Sequence, residues 1–494
     1  MIQLNGKVFK YAGPPGTGKS TTLLGVVERY LETGVDPENI VYTTFTRAGA
    51  YEARDRACKR FNLSPARLPH FRTLHSLCYQ AVGGDVMQNA DWCALARQLG
   101  IGFSLNFGPD EGVPRGRTKG DGLMALWALA RVTRQPIEAV YLARSLYSIG
   151  MPELTIEELN HFIQTVQNYK TTFGKVDYTD MLEKWLMEAP AVHSDYVIVD
   201  EAQDLSLLQW EVIKKLSLYA KETHVAGDDD QCIHEWNGAA PQLFIELPAA
   251  EFKVLPQSFR IPNSVYGLAQ TVITQVLQRI PKEYRSREEP GAVERVNDIS
   301  QVDLAQGSWL LLARNNCFLE NYVDHCKQLG FLFTGVNRKQ DTKSLLAIEA
   351  WNQLRSLTPI SGVRAKMLYT FMSQRDRVKR GSKVLLNAEP DDKFFSYEIL
   401  SKDFGLVAPQ EMLWPLALDM MDTEERDYLE AVEKKEGLRS VPRIDISTIH
   451  GAKGLEARLV LVLDTDGESP RSQTMGVLVD WPGEAAYPQR FVFL

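Results

Sequence analysis

Eight consecutive residues, Gly13-Pro14-Pro15-Gly16-Thr17-Gly18-Lys19-Ser20, fulfil the pattern G-x-x-x-x-G-K-[ST] in full. They lie between a strand-like run, Lys7 to Ala12, and an apolar helical pattern from Thr21 to Leu31. Glycines at this spacing let successive backbone N–H groups close around phosphate oxygens. Lys19 would neutralise β/γ-phosphate charge, and the Ser20 hydroxyl is a ligand type suited to Mg²⁺. The positive end of the following helix, entered at Thr21, adds to the same pocket. The motif implies a site for ATP or GTP.

A second acidic element follows at Val197-Ile198-Val199-Asp200-Glu201-Ala202-Gln203-Asp204, an apolar strand ending in paired carboxylates. Such sheets hold ligands at their strand ends. Asp200 suits Mg²⁺ and Glu201 suits orientation and deprotonation of an attacking water, although paired acids after a strand also serve as turn residues. A third strand-and-loop unit reads His224-Val225-Ala226-Gly227-Asp228-Asp229-Asp230-Gln231, followed by Trp236-Asn237-Gly238-Ala239. Gln231 is an uncharged group able to sense a γ-phosphate. Trp236, in a polar loop, is either core or a stacking platform for a nucleic-acid base.

The elements that must carry these residues alternate as an α/β sheet protein requires. Strand-like runs recur at Ile40 to Thr44, Tyr196 to Asp200, Thr223 to Gly227, Trp309 to Ala313 and Leu459 to Asp464. From Leu77 to Thr172 the texture is helical, and from Thr358 to Val441 long polar helical segments again replace strands. Two insertions are therefore expected, at 77–176 and 358–441. The basic stretch containing Arg375, Arg377, Lys379, Arg380 and Lys383 either contacts phosphates or is a solvated face.

At 494 residues, with 44% hydrophobic and 24% charged residues, the chain has the composition of a folded protein of several domain-sized units. A net charge of −8 excludes a uniformly basic surface but not a local basic groove. The six cysteines show no C-x-x-C spacing, so reduced thiols and a cytoplasmic setting are expected. No leader segment and no membrane-spanning run is read from the sequence.

Taken in order, these motifs resemble those of the UvrD/Rep/PcrA group of superfamily 1 helicases over nearly the whole length. Thr43-Thr44-Phe45-Thr46-Arg47-Ala48 resembles the group's first single-strand contact element, and Phe71-Arg72-Thr73-Leu74-His75-Ser76 its T-x-H-S element. Val176-Asp177-Tyr178-Thr179-Asp180-Met181-Leu182 is similar to its D-[FY]-x-x-[LM]-L element. Leu255-Pro256-Gln257-Ser258-Phe259-Arg260 and Ile446-Ser447-Thr448-Ile449-His450-Gly451-Ala452-Lys453-Gly454-Leu455-Glu456 resemble its motifs IV and V.

The resemblance implies an α/β fold of two RecA-like P-loop NTPase domains, at 1–76 with 177–257 and at 258–357 with 442–494, carrying two mainly helical accessory domains. It implies ATP and Mg²⁺ as cofactors, single-stranded DNA and single/double-strand junctions as partners, and 3′–5′ translocation in replication, repair or recombination. Lys19, Asp200, Glu201, Gln231 and Arg260 would carry hydrolysis, Ser20 and Asp200 the metal. Phe259 would stack on adenine and Glu456 face the ribose. Phe45, Thr73, His75, Trp236, Thr448 and His450 would face DNA.

Departures from the pattern set further expectations. A dozen residues precede Gly13 without the group's adenine-reading glutamine motif, which predicts relaxed base selectivity, checked by comparing ATP with GTP and UTP. Asn237 replaces the usual arginine after the tryptophan, and no V-x-x-T-R-A helix follows motif V. The segment Gly476 to Leu494, where Arg490 is the one candidate substitute, reads as a divergent or frame-shifted tail. Loss of the arginine finger would be worth ~10³ to 10⁵ in turnover. Two other readings therefore stand beside a working motor: a catalytically impaired clamp for ATP and single strands, and an RNA helicase of the same superfamily.

Overall fold

The structure, a computed structural model, describes residues 2–45, 47–104, 118–145, 154–296, 298–335, 342–438, 441–453, 459–464 and 475–480. The chain divides into two compact units, one formed by Met1–Ile261 and Leu268–Arg287, the other by Pro262–Gly267 and the residues from Glu288 onward.

The first unit is built on a five-stranded sheet. Its strands are β1 (Lys7–Ala12), β2 (Ile40–Thr43), β3 (Tyr196–Val199), β4 (Glu222–Gly227) and β5 (Glu251–Val254). They lie in the order β2-β3-β4-β1-β5 and every pairing is parallel. Parallel sheets are covered on both faces, so their strands read as unbroken apolar runs. Val197, Ile198 and Val199 accordingly have no exposure at all. One face packs on Leu74, Leu77, Trp185, Trp210 and Ile213, the other on Leu23, Val27, Ala53 and Phe71. The helices Asn89–Leu99, Lys119–Thr133 and Ile156–Phe173 gather around a separate core of Trp92, Leu95, Leu126, Trp127 and Phe162. They form in the stretch where helical periodicity replaced strand patterning.

Chain re-entry from these helices is electrostatically fixed. Asp177 caps the helix Tyr178–Glu188 by accepting from the Asp180 N–H. The Arg131 guanidinium meets Asp177 at 2.8 Å, and Asp180 and Glu183 at 2.5 Å each. Burial alone would raise the Asp177 pKa, but the charges of Arg131 and Lys170 outweigh it and hold the carboxyl well below its usual range.

The second unit carries a six-stranded mixed sheet. Its strands are β6 (Ala292–Val296), β7 (Trp309–Ala313), β8 (Phe333–Gly335), β9 (Ile444–Thr448), β10 (Leu459–Asp464) and β11 (Met475–Asp480). In the order β8-β9-β7-β10-β11-β6, the first four are mutually parallel and β11 runs antiparallel to both neighbours. A continuous core joins Trp309 and Leu311 on this sheet to Trp351, Tyr369, Trp414 and Leu429. Residues 358–438 thus pack against the sheet's own helices through shared apolar side chains. The start of the C-terminal segment, Met475–Asp480, is a strand. Arg490 and the rest of that segment lie outside the described residues.

Candidate nucleotide and nucleic-acid site

The glycine-rich loop leaves β1 with the Gly13 N–H donated to the Gly227 carbonyl at 3.0 Å, which ties it to the end of β4. Gly16 and Gly18 have φ of 72° and 80°, in the left-handed region that glycine enters without strain. The loop closes through Thr17, whose Oγ1 donates to the Pro14 carbonyl at 2.8 Å. Helix α1 (Lys19–Glu32) starts directly after it. Lys19 folds back, its Nζ donating to the Gly13 carbonyl at 3.0 Å. The ammonium is thereby held against the start of the loop. Thr21 is exposed in the first turn of α1.

Ser20 and Asp200, 180 residues apart in sequence, meet at the strand ends, Ser20 Oγ donating to Asp200 Oδ2 at 2.6 Å. The Tyr42 hydroxyl donates to the same oxygen at 3.2 Å. Burial, then the neighbouring Glu201 charge, push the Asp200 pKa up to about 6. A buried carboxylate in that position is stabilised by a cation. The pair of hard oxygen donors fits Mg²⁺, which favours few protein ligands and retains water. Among the described residues there is no cluster of three or more His, Cys, Asp or Glu fit to hold a metal by itself.

Glu201 has φ 55° and ψ 42°, left-handed for a non-glycine residue. Such conformations persist where the surroundings over-determine them. Gln203, fully buried, is part of those surroundings. Its Nε2 donates to Glu201 Oε2 at 2.7 Å and to Asp204 Oδ2 at 3.1 Å, while its Oε1 accepts from the Asp228 N–H at 2.9 Å. Asp228 Oδ2 in turn accepts from Gln231 Nε2 at 2.6 Å. A single chain of hydrogen bonds thus runs from Glu201 to Gln231. Gln203 and Tyr42 were not among the residues expected here. A glutamine between acidic residues carries a weak signal, and a strand tyrosine none.

The segment Ser258-Phe259-Arg260 sits on the loop. Ser258 Oγ donates to the Pro15 carbonyl at 2.7 Å and the Phe259 N–H to the Gly16 carbonyl at 2.9 Å. A Cβ on Gly16 would fall 2.1 Å from Arg260 Cβ, so this approach requires glycine. The Phe259 ring is 71% exposed. Glu456 lies outside the described residues.

Of the six expected nucleic-acid residues, four fall in the first unit. Phe45 stacks on His234 with centroids 5.6 Å apart and planes at 26°. His234 opens the turn carrying Trp236, which is 54% exposed. That loop continues through Gly238, where φ is 93° and a Cβ would lie 2.6 Å from Val132 on the helix Lys119–Thr133. The inserted helices therefore buttress the Trp236 loop. Thr73 is buried and caps the helix Leu74–Val82, its Oγ1 accepting from the Ser76 N–H at 3.4 Å. His75 meets Tyr178 edge-on at 6.1 Å. Burial, and then the charge of Arg47, lower its pKa to about 4, so its ring is neutral at pH 7. Thr448 and His450 belong to the second unit. Thr448 Oγ1 accepts from the Gly451 N–H at 3.1 Å, and His450 is exposed in the turn after β9. Of the basic stretch, Arg377 donates from Nε to the Leu416 carbonyl at 2.9 Å and lies 3.8 Å from Asp419, so it is partly structural.

All six cysteines are free thiols, and among the described residues no helix is long and apolar enough to cross a membrane.

Residues 1–237 match the family described as AAA domain. The chain is 25% identical over 309 residues to a probable DNA helicase of Mycoplasma pneumoniae, covering 56% of this chain and 54% of that protein. It is 23% identical over 319 residues to the ATP-dependent DNA helicase Rep of Buchnera aphidicola, covering 59% and 46%. It is 25% identical over 291 residues to the ATP-dependent DNA helicase PcrA of Staphylococcus aureus, covering 54% and 38%. The chain thus spans about half or less of the length of these relatives. Its N-terminal part is thus similar to an AAA domain, and the chain is similar, at modest identity over about half its length, to DNA helicases of the UvrD/Rep/PcrA type.

Proposed function

We propose that the chain is an ATP-dependent motor that tracks single-stranded DNA in the 3′–5′ direction. The observation that carries this reading is the unbroken path Glu201–Gln203–Asp228–Gln231 behind the phosphate loop, with exposed Trp236 a few residues beyond Gln231. A motor needs such a path, because the state of the phosphate must alter a surface that holds the strand.

In this reading the N–H groups of the loop and Lys19 hold the β- and γ-phosphates. Ser20 and Asp200 would hold Mg²⁺, which when bound would offset the charge of the phosphates. Glu201 orients the attacking water and accepts its proton, Gln231 senses the γ-phosphate and Arg260 neutralises charge that develops on it. Phe259 offers its exposed ring to the base. Phe45, with His234, and Trp236 provide stacking faces for the strand. Thr73 and His75 are the strand contacts of the first unit, Thr73 chiefly by fixing the helix that carries His75, and Thr448 and His450 are those of the second. The relatives named as DNA helicases support DNA as the strand, and junctions are the natural substrate of such a motor.

Steady-state ATP hydrolysis with and without single-stranded DNA, beside Lys19→Ala and an RNA competitor, tests the proposal. The expected result is DNA-stimulated turnover that Lys19→Ala abolishes and RNA does not reproduce. ATP binding without stimulated turnover would replace the motor by the clamp reading. Equal stimulation by RNA would make the strand RNA.

A further inference from the structure

Asp228, Asp229 and Asp230 bend into one short turn and send their carboxylates to the same buried place. At its centre is the ammonium of Lys282, a side chain with no exposure, at 2.8 Å from Asp228 Oδ1, 2.5 Å from Asp229 Oδ1 and 2.9 Å from Asp230 Oδ2. Arg279 completes the cluster, with Nε 2.8 Å and Nη2 2.6 Å from the two oxygens of Asp230. The Ile280 N–H donates to Asp229 Oδ2 at 2.8 Å. Burial works against the charge on Lys282, but Asp228 and Asp229 overcome it and raise its pKa.

Three adjacent carboxylates repel one another, and the turn can bury them only around a cation. The turn also carries Gln231, and Asp228 is the joint. One of its oxygens faces Lys282 and the other accepts from Gln231 Nε2, while its N–H is held by Gln203. The same strap continues to the motif beside the phosphate loop. The Ser258 N–H donates to the Arg285 carbonyl at 2.8 Å, the Arg285 N–H to the Pro256 carbonyl at 2.9 Å and the Arg287 N–H to the Ile261 carbonyl at 2.8 Å. Residues 279–287 therefore hold the Gln231 turn at one end and the Arg260 segment at the other.

We infer that Lys282 is a positioning residue for phosphoryl transfer, holding Gln231 in place by neutralising the Asp228–Asp230 turn and linking it to the segment that bears Arg260. The inference rests on the motor reading for its kinetic consequence. Its structural core, that the turn depends on the Lys282 charge, stands apart from that reading.

The test uses the full chain with Lys282→Met, the double variant Asp229→Asn/Lys282→Met, and Arg279→Gln at the rim of the cluster. Amide hydrogen exchange over residues 228–232 is measured beside ATP turnover. Lys282→Met is expected to speed exchange in that segment while leaving Leu207–Leu216 protected. It should lower kcat by about 10- to 100-fold, the scale of a misplaced group near the reacting atoms. KM for ATP should change by less than about 3-fold, because ground-state binding is untouched. Removing one carboxylate in the double variant should restore part of both signals, which loss of packing alone would not allow. Arg279→Gln should give a smaller effect of the same sign. Unchanged exchange over 228–232 in Lys282→Met overturns the inference, as does a kcat loss without that change. Should Lys282→Met unfold the chain, unaltered exchange in Arg279→Gln overturns it equally. A wild-type protein that does not hydrolyse ATP defeats the motor reading instead, and the exchange data still decide the role of Lys282.

Discussion

Trp236 offers the most direct test of strand tracking at the scale of one residue. Its exposure removes the bland reading of a core aromatic, because a 54% exposed indole leaves water to be displaced by a stacking partner. Trp236→Ala is expected to weaken single-strand binding by ~1–3 kcal/mol. Fluorescence anisotropy with a labelled oligonucleotide would read this as a higher Kd, with ATP binding unchanged. Unchanged Kd would remove Trp236 from the strand path. The residues proposed to do the chemistry were nameable from the sequence, because Lys19, Ser20 and Asp200 have types and spacing that few other tasks require. Gln203, Tyr42, His234 and Lys282 were not. Each acts through partners brought close by folding, and an isolated Gln or Lys carries no such information.

Between elements, the joint linking the inserted helices to the sheet depends on Arg131. It faces Asp177, Asp180 and Glu183 with 11% of its side chain exposed, and stacks over Trp127 at 4.7 Å. Removing one partner of a buried pair leaves charge uncompensated, which costs about 3–5 kcal/mol. Arg131→Met should therefore lower the unfolding free energy of the first unit by an amount in this range, read as a lower urea midpoint and softened by Lys170, which also meets Asp180 at 2.8 Å. Tryptophan fluorescence would follow it, and an unshifted midpoint would mean that Lys170 alone closes the joint. The alternation of strands and helices was legible because apolar runs and helical periodicity are local properties. Strand order was not: β2-β3-β4-β1-β5 reflects which crossovers pack, and no residue in a strand encodes its neighbour.

At the scale of the whole molecule, stability should fall on mild acidification. His224 is wholly buried among Tyr11, Tyr30, Glu222 and the face of Phe9, with Arg29 and Glu251 as further charged neighbours. Burial pushes its pKa down from 6.5 to about 4. The unfolded chain thus takes up a proton between those values while the folded chain does not, so stability is full above pH 6.5 and is lost toward pH 4. The slope is up to about 1.4 kcal/mol per pH unit for this group. His75, also lowered to about 4, adds in the same direction, whereas Asp200, raised to about 6, offsets part of the loss across the same window. The Asp177 contribution is lost only below its ordinary value of 3.8, outside this window. Urea titrations at pH 7, 6 and 5 would measure the slope, and His224→Gln should flatten it. An unaltered slope in that variant would assign the acid sensitivity to other groups.

The sequence by itself determined the phosphate loop, the acidic strand end, the α/β alternation and the helical texture of the inserted stretches. These depend on contiguous residues, whose types and periodicity are visible without a fold. Tertiary structure decided the rest. It joined Ser20 to Asp200 across 180 positions, ran a hydrogen-bonded path through Gln203, and buried Lys282 among three aspartates. It also bound residues 358–438 to the second sheet through one core. Such contacts arise from burial and charge compensation between distant segments, and these forces act only once the chain has closed on itself.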